Sequence, residues 1–190
     1  MTSKPLILTF VGMPGAGKSS CVDHVMSARP ELPPILYFGG ITMDEVARRG
    51  LEVNEQNERM VREDIRAKEG PASHAKRISA KIDEYIAAGH TRIVADGLYS
   101  WSEYKFFKEK YGDGAVILAI AAPRKLRHER LLHRPIRPFT EEQVTAREYG
   151  EIEGIEKGGP IANADYTVLN RTTPEDLFAQ LDEVLHEIGF

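Results

Sequence analysis

Residues 6–20, LILTFVGMPGAGKSS, set an apolar run against a loop of three glycines and a proline, and that loop against helix-compatible sequence. Leu6 to Val11 reads as a strand buried on both faces, which is what the centre of a parallel sheet requires. The chain leaves it through Gly12–Gly17 and enters a helix expected over Lys18 to Ala28, stopped before Pro30. The same alternation continues to the C-terminus. Further strands are expected at 35–38 (ILYF, closed by Gly39 and Gly40), 92–95, 115–120 and 166–169. Between and after them, helices are expected at about 42–49, 55–68, 71–88, 101–110, 124–132, 140–155 and 174–188. Thr140 and Gln143 stand at capping-box spacing. Strands alternating with helices predict an α/β fold: a five-stranded parallel sheet with helices on both faces. Residues 41–88 carry no strand of their own and are the candidate for a small helical lobe beside the sheet.

A chain of 190 residues suits one domain, 1–190, able to bury a real core. Its net charge of −4 gives no global signal for nucleic acid or an acidic membrane surface. Cys21 is the single cysteine, so no intrachain disulfide can form, which suits a reducing compartment. The N-terminal apolar run ends in glycine and proline rather than a cleavage site, and no stretch approaches the roughly 20 apolar residues of a membrane span. A cytoplasmic monomer or homodimer is expected.

The loop itself, Gly12-Met13-Pro14-Gly15-Ala16-Gly17-Lys18-Ser19, matches G-x-x-x-x-G-K-[ST] throughout. Glycines allow backbone conformations closed to other residues and a near approach to phosphate. Inward-pointing amides then form an anion nest, and the helix beginning near Lys18 adds its positive end. Lys18 is expected to neutralise phosphate charge and Ser19 to ligate Mg²⁺. Ser20 is a spare hydroxyl at the same helix start, and Cys21 is read as a small packing residue.

A second element lies at the end of the third strand, where TRIVADG stops on Asp96-Gly97. Ligands of parallel sheets sit beyond the carboxyl ends of strands. An acid there can hold the metal's water shell or take a proton from an acceptor hydroxyl; the alternative is an aspartate capping the next turn. The segment 123–138, PRKLRHERLLHRPIRP, concentrates positive charge in an acidic protein. Arg130, Arg134 and Arg137 are candidates to close over a transferring phosphoryl group, with the proline break opening a lid at 133–141. Arg124, Lys125 and Arg127 are read as a solvated helix face. Among 41–88, Arg48, Arg59 and Arg66 are candidates to bind an anionic acceptor, against a default of surface ion pairing. Tyr99 and Trp101 could stack on a base or pack a helix onto the sheet. The six histidines lack zinc-site company and are read as surface or packing residues.

Several segments together, GMPGAGKSS, ARRGLEVNEQN, IRAKEGPASHA, IVADG, RHERLLHR and ADYTVLNRTTPEDL, resemble the P-loop nucleotide and nucleoside kinases. The likeness is nearest to dephospho-CoA kinase and the nucleotide kinases related to it. The resemblance implies Mg-ATP as phosphoryl donor and a lid after the fourth strand. It also implies a loop near the adenine at 170–173, with Asn170 and Thr172 as nucleotide contacts. The chain departs from those families around the acceptor. Its second strand ends YFGG with Asp44 as the nearest acid, and Tyr99 and Ser100 stand where related kinases carry arginine.

The expected activity is transfer of the γ-phosphoryl of ATP to a small acceptor: a nucleotide, a nucleoside or a related metabolite, with dephospho-CoA among them. The alternative is a nucleotide-dependent switch or regulatory ATPase that meets a partner protein. An ordinary GTPase is disfavoured because LNRTT offers no N-K-x-D base-reading motif.

Overall fold

The computed structural model describes residues 4–135 and 138–190. Within them the apolar runs become five strands: β1 (Leu6–Val11), β2 (Leu36–Tyr37), β3 (Arg92–Asp96), β4 (Ala115–Ala121) and β5 (Tyr166–Leu169). They form one sheet in the order β2-β3-β1-β4-β5, and every neighbouring pair is parallel. The helices are α1 (Lys18–Ala28), α2 (Phe38–Arg48), α3 (Glu55–Glu69), α4 (Ser73–Ala87), α5 (Trp101–Tyr111), α6 (Arg124–His133), α7 (Glu141–Ile155), α8 (Gly158–Ala162) and α9 (Pro174–Glu187). None of these is long and apolar enough to cross a membrane.

Alternating side chains of the central strands feed two cores. Ile7, Ile93 and Ile117 pack with Phe38, Ile78, Ile82 and Phe107. Leu8, Phe10, Val94 and Leu118 pack with Cys21, Val25, Leu177, Leu181 and Leu185. The sheet is therefore covered on both faces, by α2–α5 on one and by α1 and α9 on the other, as unbroken apolar strands require. Residues 41–88 share the first of these cores with the sheet: Val46, Val61, Ile65 and Ala75 belong to it.

The register brings strand ends together where they matter. Phe10 pairs with Asp96, and Val11 with Ala119, so β1 and β3 end side by side just before the glycine loop. The amide of Gly97 donates to the Phe10 carbonyl at 3.1 Å and holds that edge.

Two local expectations are corrected. Gly39 and Gly40 do not close β2, because α2 begins at Phe38 and runs through both. Glycine is a poor helix former, but Phe38 and Ile41 are buried, and the Tyr37 ring covers Gly39 where a Cβ would stand. Packing overrides propensity there. The short helix α8 was not expected from a sequence holding two glycines. It forms where Gly159 lies against the Trp101 ring, and the Tyr104 hydroxyl donates to the Asn163 carbonyl at 3.0 Å. Trp101 also stacks on Tyr104, so it packs helices together. The capping box at Thr140 and Gln143 is present, and Ser100 forms a second one with Glu103.

His74, 1% exposed on α4, bonds Thr42 Oγ1 on α2 at 2.9 Å. Burial first, then Arg66, Arg62 and Arg77, push its imidazole down to about 4, with Glu69 opposing. The folded protein thus keeps His74 neutral, whereas the unfolded chain protonates it below about 6.5. Its contribution is complete above that pH and is lost as pH falls towards 4. Urea denaturation should show about 2 kcal/mol less stability at pH 5 than at pH 7.5 from this group. His74→Gln should flatten that part of the profile.

Candidate active site

The loop at the end of β1 is built from glycines that no other residue can replace. Gly15 (φ 77°) and Gly17 (φ 100°) are left-handed. A Cβ on Gly15 would stand 2.6 Å from the Arg127 carbonyl, and one on Gly17 would collide with the Asn170 side chain. What holds the loop in this shape is the fate of its carbonyls. Lys18 Nζ donates to Gly12 O at 3.1 Å, and the Ala16 amide to Met13 O at 3.1 Å. Arg127 donates to Pro14 O at 3.3 Å, Arg130 to Gly15 O at 3.3 Å, and Asn170 Nδ2 to Ala16 O at 2.8 Å. Every carbonyl from 12 to 16 is met by a donor, Gly12 O by Lys18 itself and Met13 O by the loop's own Ala16 amide.

Asn170 does more than its place after β5 suggested. Its amide is anchored to Ala121 O at 2.7 Å, and its side-chain oxygen accepts from Arg130 at 2.9 Å. Both ends of the carboxamide are therefore engaged in bracing the loop. Thr172 lies exposed at the following turn, where it hydrogen-bonds Asp176.

Arg127 corrects the reading of a solvated face. It is buried and meets Glu148 of α7 at 2.5 Å. Glu148 also receives Arg124 at 2.9 Å and His128 at 3.0 Å. Burial raises its pKa, but His128, Arg124 and Arg127 outweigh that and hold the carboxyl below its usual range. This cluster clamps α7 to α6 and, through Arg127, to the loop.

Inside the cleft, burial draws the Lys18 ammonium down, opposed chiefly by Asp96 and Glu151. Burial raises the Asp96 carboxyl, opposed by Lys18 and Lys157. Asp96 Oδ1 is buried with no hydrogen-bond partner among the described residues. Ser19 and Ser20 are exposed at the first turn of α1. A glycine loop at a helix start, a lysine, an open serine hydroxyl and an orphaned carboxylate oxygen fit a nucleotide phosphate with a divalent cation. No cluster of three or more His, Cys, Asp or Glu fit to hold a metal occurs among the described residues.

Three residues not expected from sequence join Lys18 and Asp96: Arg147 and Glu151 of α7, and Lys157 just beyond it. Arg147 Nε lies 3.2 Å from one Glu151 oxygen, and Lys157 Nζ lies 2.5 Å from the other. Burial lowers the Lys157 ammonium to about 8 against the pull of Glu151. The Arg147–Glu151 pair has the i,i+4 spacing of a helical ion pair and could have been noticed. Lys157 carries no such signal, because its direction depends on a turn.

The remaining candidates divide. Arg66 is 15% exposed, lies 3.6 Å from the buried Glu103 and keeps Nε and Nη2 without hydrogen bonds among the described residues. Glu103 Oε2 is held by the Tyr99 and Ser100 amides at 2.8 and 3.1 Å. Tyr99 leads from the β3 end to this pair, and its hydroxyl approaches that of Tyr37 at 3.5 Å. Arg48 and Arg59 are not brought here: each is 71% exposed and pairs along its own helix, with Glu45 and Glu63. Arg134 lies 4.2 Å over the Phe139 ring, which Arg147 also approaches at 5.5 Å. Arg137 lies outside the described residues.

Sheet order, glycine cradle and strand-end aspartate together define a P-loop kinase-type α/β fold. A family model described as an AAA domain matches residues 11–146. A UPF0200 protein of Hyperthermus butylicus is 33% identical over 96% of this chain and 95% of its own length. The chain belongs to this AAA-domain family and to the UPF0200 proteins. A UPF0200/UPF0201 protein of Archaeoglobus fulgidus is 32% identical over 96% of this chain, but the match spans only 56% of that longer protein. A UPF0200 protein of Methanosarcina acetivorans is 35% identical over 67% of this chain and 65% of its own. Among solved structures, TT1252 from Thermus thermophilus superposes with a TM-score of 0.69 at 19% identity, covering 97% of this chain and 98% of its own. Shikimate kinase from Bacteroides thetaiotaomicron gives 0.58 at 11% identity, covering 97% and 99%. A gluconokinase from Sinorhizobium meliloti gives 0.57 at 15%, covering 98% and 97%. At these identities the likeness to solved structures is one of fold.

Removing Arg127 strips buried Glu148 of its innermost partner and frees the Pro14 carbonyl. Arg127→Ala should lower stability by about 2–3 kcal/mol in urea, less than stranding a buried charge usually costs because Arg124 and His128 remain on Glu148.

Proposed function

We propose that this protein is a phosphotransferase that moves the γ-phosphoryl of Mg-ATP to a small acceptor: a nucleotide, a nucleoside or a related metabolite. The observation that carries this reading is a glycine loop whose five successive carbonyls from Gly12 to Ala16 each meet a donor, set beside Lys18 and the orphaned oxygen of Asp96. Bound Mg-ATP supplies the phosphoryl group and a cation that offsets its charge. The loop from Gly12 to Gly17 and Lys18 hold the phosphates, with Ser19 as metal ligand. Asp96, its carboxyl raised by burial, orients the metal's water or takes the acceptor's proton. Arg130 supports the cradle from the other side of Gly15 and stands where a guanidinium can meet negative charge.

The same reading treats residues 1–190 as a single kinase domain. Residues 41–88 form its acceptor side and 133–141 its lid. Arg66 and Tyr99 are the acceptor-side residues the geometry supports, because the Arg66 guanidinium is largely buried yet short of hydrogen bonds. Kinase neighbours of the same fold support a small-molecule acceptor, since a shikimate kinase and a gluconokinase both superpose along nearly the whole chain. The cytoplasm is the compartment this reading assigns.

The test is ADP release from Mg-ATP with and without a panel of nucleoside monophosphates, nucleosides, dephospho-CoA and hydroxy acids. A strong rise with one acceptor is expected. Lys18→Ala should cut that rate about a hundredfold or more while the circular dichroism spectrum stays unchanged. Slow release indifferent to every acceptor would instead indicate a nucleotide-dependent switch.

A further inference from the structure

Asn170 follows β5 directly, where the resemblance to nucleotide kinases implies an adenine contact. Its hydrogen bonds run to the glycine loop instead. The backbone amide donates to the Ala121 carbonyl at 2.7 Å, which pins the residue to the end of β4. Its side-chain Nδ2 donates to Ala16 O at 2.8 Å, and Oδ1 accepts from Arg130 Nη2 at 2.9 Å. The two ends of the carboxamide cannot be exchanged, because a carbonyl only accepts and a guanidinium only donates. Asn170 is 7% exposed, so little of it is left for a base. The two threonine hydroxyls of the same loop are spent as well: Thr172 bonds Asp176, and Thr173 caps α9 by accepting from the Asp176 amide.

The glycine loop is shaped around this contact. A Cβ on Gly17 would stand 2.2 Å from Asn170 Nδ2, so the glycine admits the carboxamide as well as the left-handed backbone. A trans peptide sets its C=O and N–H on opposite sides. Holding Ala16 O therefore also fixes the direction of the Gly17 amide, one residue before Lys18.

Arg130 is the second partner. It gives Nη1 to Gly15 O at 3.3 Å and Nη2 to Asn170, and it pairs with no carboxylate among the described residues. Burial draws its pKa down, yet a guanidinium stays charged in a protein. Arg127, one turn earlier on α6, is by contrast neutralised by Glu148. The carboxamide thus orients Arg130 without cancelling its charge, whereas an aspartate of the same size would neutralise it.

We propose that Asn170 is a positioning residue for the phosphate end of the nucleotide and not a contact of its base: its carboxamide sets the Ala16–Gly17 peptide of the loop and holds an uncancelled Arg130 guanidinium beside it. This rests on the loop being a nucleotide-phosphate site, and the experiment separates the two claims. Full-length protein is titrated calorimetrically, in the presence of Mg²⁺, with ADP and with inorganic tripolyphosphate, which has no base. Asn170→Ala should weaken tripolyphosphate at least as much as ADP, by about tenfold or more, the scale of a hydrogen bond to a charged group. Asn170→Asp keeps the shape, loses the donor to Ala16 O and neutralises Arg130, so it should weaken both ligands too; it carries the same comparison if Asn170→Ala fails to fold. In protein already carrying Arg130→Met, Asn170→Ala has only the loop carbonyl left to lose and should cost less than in the wild type; an equal cost would overturn the part given to Arg130. A loss larger for ADP than for tripolyphosphate would put the carboxamide on the base and overturn the proposal, as would no loss of either ligand. Wild-type protein that binds ADP but not tripolyphosphate would also overturn it. Wild-type protein that binds neither would overturn the site and the proposal together.

Discussion

Five successive peptide carbonyls, each of which must find a donor, tie the glycine loop after β1 to the rest of the fold. Residues 12 to 16 cannot form a regular element, so their polar groups have no ladder to join. Each carbonyl is met by its own donor: Lys18 at the start of α1, Arg127 and Arg130 on α6, Asn170 after β5, and the loop's own Ala16 amide. Satisfying all five fixes the loop's backbone without a strand or helix to hold it.

The bracing residues are themselves braced, which ties the site to the whole domain. Arg127 reaches the loop because Glu148 of α7 fixes it, and Glu148 survives burial because Arg124 and His128 share it. One turn further along α7, Glu151 gathers Arg147 and Lys157, and its carboxyl also feels Lys18. A single helix therefore braces the loop through Glu148 and holds a second cluster of charges through Glu151.

Around Arg66 the logic is different. Arg66 and Glu103 approach each other at 3.6 Å without a direct hydrogen bond, while Glu103 spends its second oxygen on the turn that starts α5. Ser100 caps that helix and forms a capping box with Glu103. Tyr99 and Tyr37, whose rings cover Gly97 and Gly39, offer an aromatic wall beside the guanidinium.

The glycine motif, the apolar strands and the strand-end aspartate were legible because each is a local demand. A strand buried on both faces must be apolar throughout, a left-handed loop position must be glycine, and a phosphate site needs a lysine at the helix start. Those demands are enough to give the parallel α/β fold and to bring Gly12 to Ser19 against Asp96. The brace and the second charge cluster were not legible, because nothing within a few residues of Arg127, Asn170 or Lys157 says what they will touch. Arg127 looked like one more residue of a solvated basic face until Glu148, twenty-one positions on, was folded beneath it. Arg48 and Arg59 looked like acceptor ligands until their own helices turned them to solvent. Lys157 turns inward only because Glu156 before it holds left-handed backbone at φ 54° and ψ 40°. Sequence alone thus determined the fold and the glycine loop, through steric and burial requirements that act at each residue. Tertiary structure decided which charges surround the cradle, because the pairing of distant charges depends on how the helices pack.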